Sequence, residues 1–172
     1  MPVDSTKYIR DIVIDSISDR LKLITLANGY DFEVNEKVFT LAGIVTDVPL
    51  PAIMLMETNE NALNRTGWLY SCDLNLTIVA AAVYHGADPD GECRKLLGNI
   101  QRAVVVPQPE VYFAAIKYNA DPLVLTEDTS VAQVIEIGNA MNAGEAIEGQ
   151  VVCQIEFTVK YDRALQDPRR IL

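Results

Sequence analysis

Hydrophobic residues recur at helical spacing near the start of the chain and alternate with polar residues further along. Apolar side chains three and four positions apart predict a first helix from about Asp4 to Ala27. Asp4, Ser5 or Thr6 can cap its first turn, and Asn28-Gly29 is typical of a helix end because glycine tolerates the left-handed conformation. The apolar positions of this helix are Ile9, Ile12, Val13, Ile17, Leu21 and Ile24.

Three strands are predicted before the second helix. Tyr30 to Thr40 alternates, and Ala52 to Met56 is a short apolar run typical of a strand covered on both faces. The polar stretch Glu57 to Gly67 predicts a long loop. Trp68 to Tyr84 is the clearest alternating strand, and its apolar end, Ala80 to Val83, is expected to be buried on both sides.

The second amphipathic helix is predicted to begin at Asp88-Pro89, which supplies a capping aspartate and a proline suited to the first turn. Pro107 and Pro109 are expected to end it. Its predicted apolar face is Cys93, Leu96, Leu97, Ile100, Ala103 and Val104, and its outer positions are Glu92, Lys95, Asn99 and Arg102.

Two further strands, Val131 to Ile137 and Val151 to Tyr161, are predicted to pair in antiparallel fashion. The loop Gly138 to Gly149, rich in glycine, asparagine and alanine, joins them. The proline-interrupted stretch Val111 to Glu127 is ambiguous, although Tyr112 to Ile116 could form another strand.

This order of elements predicts the α+β class. We expect a single domain over residues 1–172, built as a two-layer structure in which two amphipathic helices pack on one face of a mixed, mostly antiparallel sheet. A chain of this length can bury a hydrophobic core without metals or disulfides. Residues from about 163 to 172 are predicted to form an extended C-terminal tail.

Charge and composition exclude several classes of function. The net charge of −10 disfavours sequence-specific or general nucleic-acid binding, because phosphate contacts need a surplus of lysine and arginine. The sequence contains no run of about twenty apolar residues, so no membrane span is expected. Charged residues every few positions near the start argue against a signal peptide.

The three cysteines, Cys72, Cys93 and Cys153, are widely spaced and form no C-x-x-C pair. Each falls on a predicted apolar face, where a thiol behaves as a small hydrophobic group with a raised pKa. We therefore expect inert thiols and a reducing, cytoplasmic origin.

Catalytic chemistry finds little support in the sequence. His85 is the only histidine, so a serine–histidine or cysteine–histidine pair would have to use it, and no phosphate-binding or nucleophile-elbow motif is present. Asp88, Asp90 and Glu92 resemble the start of a calcium loop, but the bidentate glutamate is missing, and a capped helix start explains the same letters. We predict no catalytic residue, no metal and no cofactor.

With no catalytic or metal site predicted, we expect the chain to act through surfaces that bind other protein subunits. The segment Lys160 to Leu172 carries four cations against two aspartates in an acidic chain, so it can pair with the acidic body of a neighbour. Val131 to Ile137, Thr58 to Gly67 and Arg163 to Leu172 are candidates for adding strands to a neighbour's sheet edge. The predicted partner-binding residues are Asp162, Arg163, Asp167, Arg169, Arg170, Asn61, Asn64 and Arg65.

Four stretches together resemble the tail terminator (tail completion) proteins of tailed phages. They are IRDIVIDSISDRL in the first helix, VPLPAIMLME in the second strand, ADPDGECRKLLGNIQRAV in the second helix and FTVKYDRALQDP in the last strand. The resemblance covers Ile9 to Pro168 in order and rests on residue types rather than on a catalytic signature. The stretch Pro107 to Gly149 departs from the family pattern by its greater length.

The resemblance implies a structural virion protein without enzymatic activity. Such a subunit forms a ring with copies of itself, usually a hexamer, that caps the last ring of tail-tube protein and stops elongation. The ring offers its other face to the head–tail connector, or neck protein, and DNA passes through it. The implied location is the head-proximal end of the virion tail, and the host cytoplasm during assembly.

Two alternatives stay open. One is a neighbouring neck or head–tail joining protein, which would bind filled heads rather than isolated tails. The other is a small cytoplasmic enzyme or ligand-binding domain built around His85 and the Asp88 to Asp90 turn.

Overall fold

A computed structural model describes residues 8–41, 48–66, 69–84, 86–105, 133–142 and 149–164. Within these ranges the chain forms a five-stranded mixed sheet and two α-helices, which confirms the predicted α+β class. The elements in chain order are α1 (Ile9–Lys22), a 3-10 turn (Leu26–Asn28), β1 (Val38–Leu41), β2 (Ala52–Thr66), β3 (Leu69–Val83), α2 (Pro89–Val105), β4 (Gln133–Asn142) and β5 (Gln150–Ala164).

The strands lie in the order β1-β2-β3-β5-β4. β1 runs parallel to β2, and the three other neighbouring pairs are antiparallel. β3 and β5 pair along their whole length, from Leu69 opposite Ala164 to Val83 opposite Gln150. This central pair has β2 on one side and β4 on the other, so it relates the two halves of the sheet.

Alternate residues of the central strands supply the core. The even-numbered positions of β3 from Cys72 to Ala82 are buried, as are the odd-numbered positions of β5 from Val151 to Tyr161. The register sets these two rows opposite each other, so they share one face of the sheet. Ile17 of α1 and Ile100 of α2 belong to the same hydrophobic cluster. The packing of both helices on that one face stays a prediction.

The first helix ends earlier than predicted, at Lys22 rather than Ala27. A short 3-10 turn follows, in which the Thr25 hydroxyl accepts a hydrogen bond from the Asn28 backbone N–H at 3.3 Å. Gly29 has a φ of 74°, so the expected stop signal ends this turn and not the α-helix. The predicted N-terminal caps at positions 4–6 lie outside the described residues.

The strand predicted from Tyr30 to Thr40 is wrong over most of its length, because β1 begins only at Val38. Phe32 and Val34 are buried, as the inner face of a strand would be. The backbone nevertheless turns here, since the Val34 N–H donates to the Ile24 carbonyl at 2.9 Å. The apolar alternation therefore reflects a connection folded against the core.

The predicted loop from Glu57 to Gly67 is also wrong, because β2 continues through it to Thr66. Pairing with β3 runs from Ala52 opposite Ala81 to Thr66 opposite Leu69, interrupted by two bulges. The polar residues of this stretch give no apolar alternation, and it is the long partner strand that holds their backbone extended.

Two strand segments expected to be buried on both faces are covered on only one. In β2, Ile53 and Leu55 are buried, but Met54 and Met56 on the opposite face are half-buried. In β3, the apolar end reaches solvent, since Val83 is 43% exposed. A uniformly apolar sequence therefore did not mean that the second face of these strand segments is fully buried.

The strands predicted from clear alternation are confirmed. β3 falls within Trp68 to Tyr84, and β5 contains Val151 to Tyr161. β4 overlaps Val131 to Ile137 but continues to Asn142, so the first part of the predicted loop is strand. Trp68, residues 106–132 and residues 143–148 lie outside the described residues.

The start of α2 is confirmed. Pro89 is its first residue, and the Asp88 carboxylate accepts a hydrogen bond from the Gly91 N–H at 2.8 Å. The predicted apolar face is buried, with Cys93, Leu96 and Ile100 fully shielded from solvent.

Asn99 was expected on the outer side of α2, but it is only 4% exposed. Its side-chain amide donates to the Asp31 carboxylate at 3.0 Å and to the Lys95 carbonyl at 2.8 Å. Its side-chain oxygen accepts from the Asp31 N–H at 3.3 Å. Asn99 therefore fastens α2 to the connection that follows the 3-10 turn.

We expect Asn99→Ala to lower the free energy of unfolding by about 1 kcal/mol, because it removes three hydrogen bonds made by a buried amide. Arg94→Ala is the matched control, since Arg94 is exposed on the same helix. Its effect should stay within about 0.5 kcal/mol. Urea unfolding of both variants measures the difference, and equal stabilities would contradict the role assigned to Asn99.

Candidate interaction surface

The two segments predicted to bind partners meet at one end of the sheet. β2 and β5 flank β3, and the register places Arg65 and Arg163 on either side of Tyr70. We call this region the far end of the sheet; it comprises residues 59–66 of β2, 69–75 of β3 and 158–164 of β5. Residues that the sequence nominated from separate stretches thus lie at the same end of the sheet, on two strands separated by β3.

Besides Arg65 and Arg163, three more of the nominated residues lie at the far end. Asp162 is half-buried and accepts a hydrogen bond from the Ser71 hydroxyl at 2.7 Å, so it helps to hold the sheet. Asn64 pairs with Ser71 from the other side. Asn61 is exposed and lies opposite Asp73.

The first two residues of the predicted C-terminal tail are part of a strand. β5 continues through Arg163 to Ala164, so these two residues belong to the sheet. Asp167, Arg169 and Arg170 lie outside the described residues, as does His85.

Polar side chains cross three strands on the sheet face opposite the buried rows. The Thr158 hydroxyl donates to Asn75 Oδ1 at 2.6 Å, and Asn75 Nδ2 donates to Asn59 Oδ1 at 2.8 Å. Beside them, the hydroxyls of Thr58 and Thr77 are 3.2 Å apart. We call these five residues the polar ladder. Thr158 is only 8% exposed, so its hydrogen bond is shielded from water.

A shallow depression of about 280 Å³ runs along the polar ladder. The ladder's amides and hydroxyls bond mainly to one another, which fixes the shape of this face. The depression is lined by Thr58, Asn59, Asn75, Leu76, Thr77, Ile137, Glu156 and Phe157.

Arg10 of α1 lies against the outer half of β2. Its Nη1 is 3.4 Å from Glu57 Oε1 and 4.0 Å from Glu60 Oε2. Solvent-exposed ion pairs of this kind contribute only about 0–1 kcal/mol to stability. One guanidinium offsets only one of these two carboxylate charges, and Asp11 Oδ1 also lies 3.8 Å from Arg10 Nε.

The three cysteines are reduced thiols and are buried, as predicted. Burial raises the pKa of the Cys153 thiol to about 12, and the nearby Cys93 acts in the same direction. The Cys153 thiol is therefore neutral at physiological pH and a poor nucleophile.

The acidic residues at the start of α2 have structural partners. Asp88 caps the helix, and Glu92 Oε1 accepts a hydrogen bond from Lys95 Nζ at 2.7 Å. Among the residues that the structure describes, no cluster of three or more histidine, cysteine, aspartate or glutamate side chains could hold a metal ion. No helix in the described part of the chain is both long and apolar enough to cross a membrane.

Sequence reasoning missed the polar ladder as a unit. The alternation of polar residues in β3 and β5 was visible, and it placed Asn75 and Thr158 on outward faces. Their contact depends on strand pairing between residues 83 positions apart, which no local pattern encodes. Asn59 was assigned to a loop and so could not be added to the row.

The sequence matches no protein-family model and no curated protein.

We expect the free energy of unfolding to fall as pH rises from about 9 to about 12. In the unfolded chain Cys153 loses its proton near its ordinary pKa of 9.0, whereas the native thiol holds it up to about 12. Below pH 9 both states are protonated, and this contribution is fully present. Burial raises the pKa of Tyr30 as well, so its effect has the same sign.

Cys153→Ala separates the two effects, because it keeps Tyr30 and removes the thiol. The variant loses packing at every pH, but its alkaline decline should be shallower than that of the unchanged protein. Urea unfolding at pH 7 to 11 gives both slopes. If the free energy of unfolding declines equally with pH in both proteins, the Cys153 thiol ionises as readily in the native state as in the unfolded state.

Proposed function

We propose that this chain is a tail terminator subunit of a tailed phage. Copies of it close into a ring, a hexamer in the virion, that caps the tail-tube protein and ends elongation. The opposite face of the ring receives the head–tail connector. The chain acts through contact alone and makes or breaks no covalent bond.

The observation that carries this proposal is the exposure of the outer half of β2. Successive residues of a strand point to opposite faces, yet five of the six residues from Glu57 to Ala62 are exposed, and Glu60 is half-buried. A long polar strand presented on both faces suits a surface that stays soluble before assembly and is covered afterwards. Three of the nominated partner residues, Asn61, Asn64 and Arg65, lie on it.

The resemblance from Ile9 to Pro168 supplies the identity of the partner. A ring that ends a polymer needs one face that matches the last tube ring and another that lacks the surface for adding tube. Head-to-tail contacts between identical subunits close into a ring when their rotation returns to the start. The net charge of −10 also suits a channel that DNA traverses without sticking.

We expect phage particles assembled without this protein to carry tails of irregular, excessive length, or to leave heads and tails unjoined. Electron microscopy of the defective lysate measures both outcomes. Adding the purified protein should restore uniform tails and joining. Tails of normal length that join heads in its absence would contradict the proposal.

The same lysates separate the neck alternative. A terminator binds isolated tails, whereas a head–tail joining protein binds filled heads. Purified protein incubated with each fraction should sediment with tails. If the protein cosediments only with filled heads, it is a head–tail joining protein and not a tail terminator.

The C-terminal segment is the second partner contact that we propose. Because Arg163 and Ala164 belong to β5, a deletion that tests the segment without opening the sheet removes residues 165–172. We expect this deletion to reduce joined particles by at least tenfold while leaving the fold intact by circular dichroism.

Charge variants show whether the cations of this segment are responsible. Arg169→Ala/Arg170→Ala should reproduce part of the loss and make joining more sensitive to salt, since exposed ion pairs are screened. Asp167→Ala keeps both cations and is the matched control. Undiminished infectivity of the deletion would remove the segment from the proposed contact.

A further inference from the structure

The sheet has two outer edges of equal length on opposite sides. β4 is the last strand on one side, and its ten residues pair with β5 only, among the described strands. On the other side, β1 accompanies β2 only from Ile53 to Met56. The following residues of β2, Glu57–Thr66, also number ten and have no described strand beside them on that side.

Each outer edge carries a large aliphatic side chain at a bulge. In β4 the register shifts between Glu136 and Gly138, and the intervening Ile137 is 59% exposed. In β2 it shifts between Ala62 and Asn64, and the intervening Leu63 is 54% exposed. Large exposed aliphatic residues on sheet edges are what soluble proteins usually avoid, because such edges recruit further strands.

β4 lacks the residue types that most often protect a sheet edge. Its sequence, QVIEIGNAMN, has no lysine and no proline. Its one charged residue, Glu136, accepts hydrogen bonds from Gln101 Nε2 at 3.0 and 2.9 Å and from Asn139 Nδ2 at 2.8 Å. That carboxylate is therefore turned to partners within its own subunit.

The outer edge of β2 has little net charge, because Arg65 within it and Arg10 beside it partly offset Glu57 and Glu60. Glu57 and Glu60 lie within 3.4 and 4.0 Å of the Arg10 guanidinium. Two copies of a chain of net charge −10 repel each other over most of their surfaces. Contact between copies is least opposed where charges are few. The described part of β4 carries only Glu136, and the outer part of β2 carries Glu57, Glu60 and Arg65.

We propose that β4 of one subunit adds to the outer edge of β2 in the next subunit, with Ile137 packed against Leu63 of the neighbour. The sheet then continues across the subunit boundary through backbone hydrogen bonds. The two edges differ, so the contact is head-to-tail and can close into a ring. Bulges on both strands add the twist that a curved assembly requires. The ring context rests on the proposed function, but the contact itself does not.

Disulfide cross-linking tests the contact directly. Ile137→Cys and Leu63→Cys are prepared as separate full-length proteins and oxidised alone and mixed, at micromolar to millimolar concentrations. The native cysteines are buried, so they add little background. The mixture should give at least tenfold more disulfide dimer than either variant alone, and the double variant should give a ladder of larger multimers.

Leu26→Cys replaces Leu63→Cys in the matched control, because Leu26 is equally exposed at 62% but lies away from both edges. A mixture that cross-links no better than this control overturns the proposal. Efficient dimers of Ile137→Cys alone also overturn it, since they would indicate two copies of β4 meeting in a closed dimer.

The outcome is independent of the capping experiment. If the cross-links between positions 137 and 63 form although tails stay normal without the protein, that result would support the contact between subunits and contradict the terminator function. Correctly capped tails without these cross-links would keep the function and remove the contact.

Discussion

The antiparallel pairing of β3 with β5 is the constraint on which the rest of the structure depends. All fifteen residues of each strand have partners, and one set of alternate side chains is buried throughout. A slip of one residue would turn every buried side chain of one strand outward, so the apolar rows fix the register. Because β2 and β4 attach to the two sides of this pair, their positions follow from it. The pairing of β3 with β5 therefore determines both the buried core and the positions of the two outer edges.

The same register builds the polar face. Once Leu76 lies opposite Phe157 on the buried side, Asn75 must lie opposite Thr158 on the other. Their hydrogen bond of 2.6 Å is then a consequence of the apolar rows. Asn59 joins because a bulge in β2 brings it opposite Asn75. Hydrophobic burial on one face thus specifies the arrangement of the polar ladder on the other.

The sequence allowed prediction of elements whose signal is local. The Asp88-Pro89 start of α2 and the alternation of β3 and β5 each depend on residues close together in the chain. The outer half of β2 was missed because its strand state comes from pairing with β3. Asn99 was misplaced because Asp31, its partner, is 68 positions away. The nominated residues Arg65 and Arg163 were found by charge and length, but their proximity could not be, since it requires the order of three strands.

A subunit that must end a polymer faces conflicting demands on its edges. Edges that pair strongly would join copies in solution, and edges blocked by charge would never join them. Here the outer edge of β2 is polar, with Arg10 3.4 Å from Glu57, whereas β4 offers the exposed Ile137 and has Glu136 as its one charged residue. One such pairing is weak against the repulsion between chains of net charge −10. A tube end that gathers several copies raises their local concentration, and closure of the ring makes every contact at once. Under the proposed function, the acidic charge that keeps subunits apart is what makes assembly conditional on the tube.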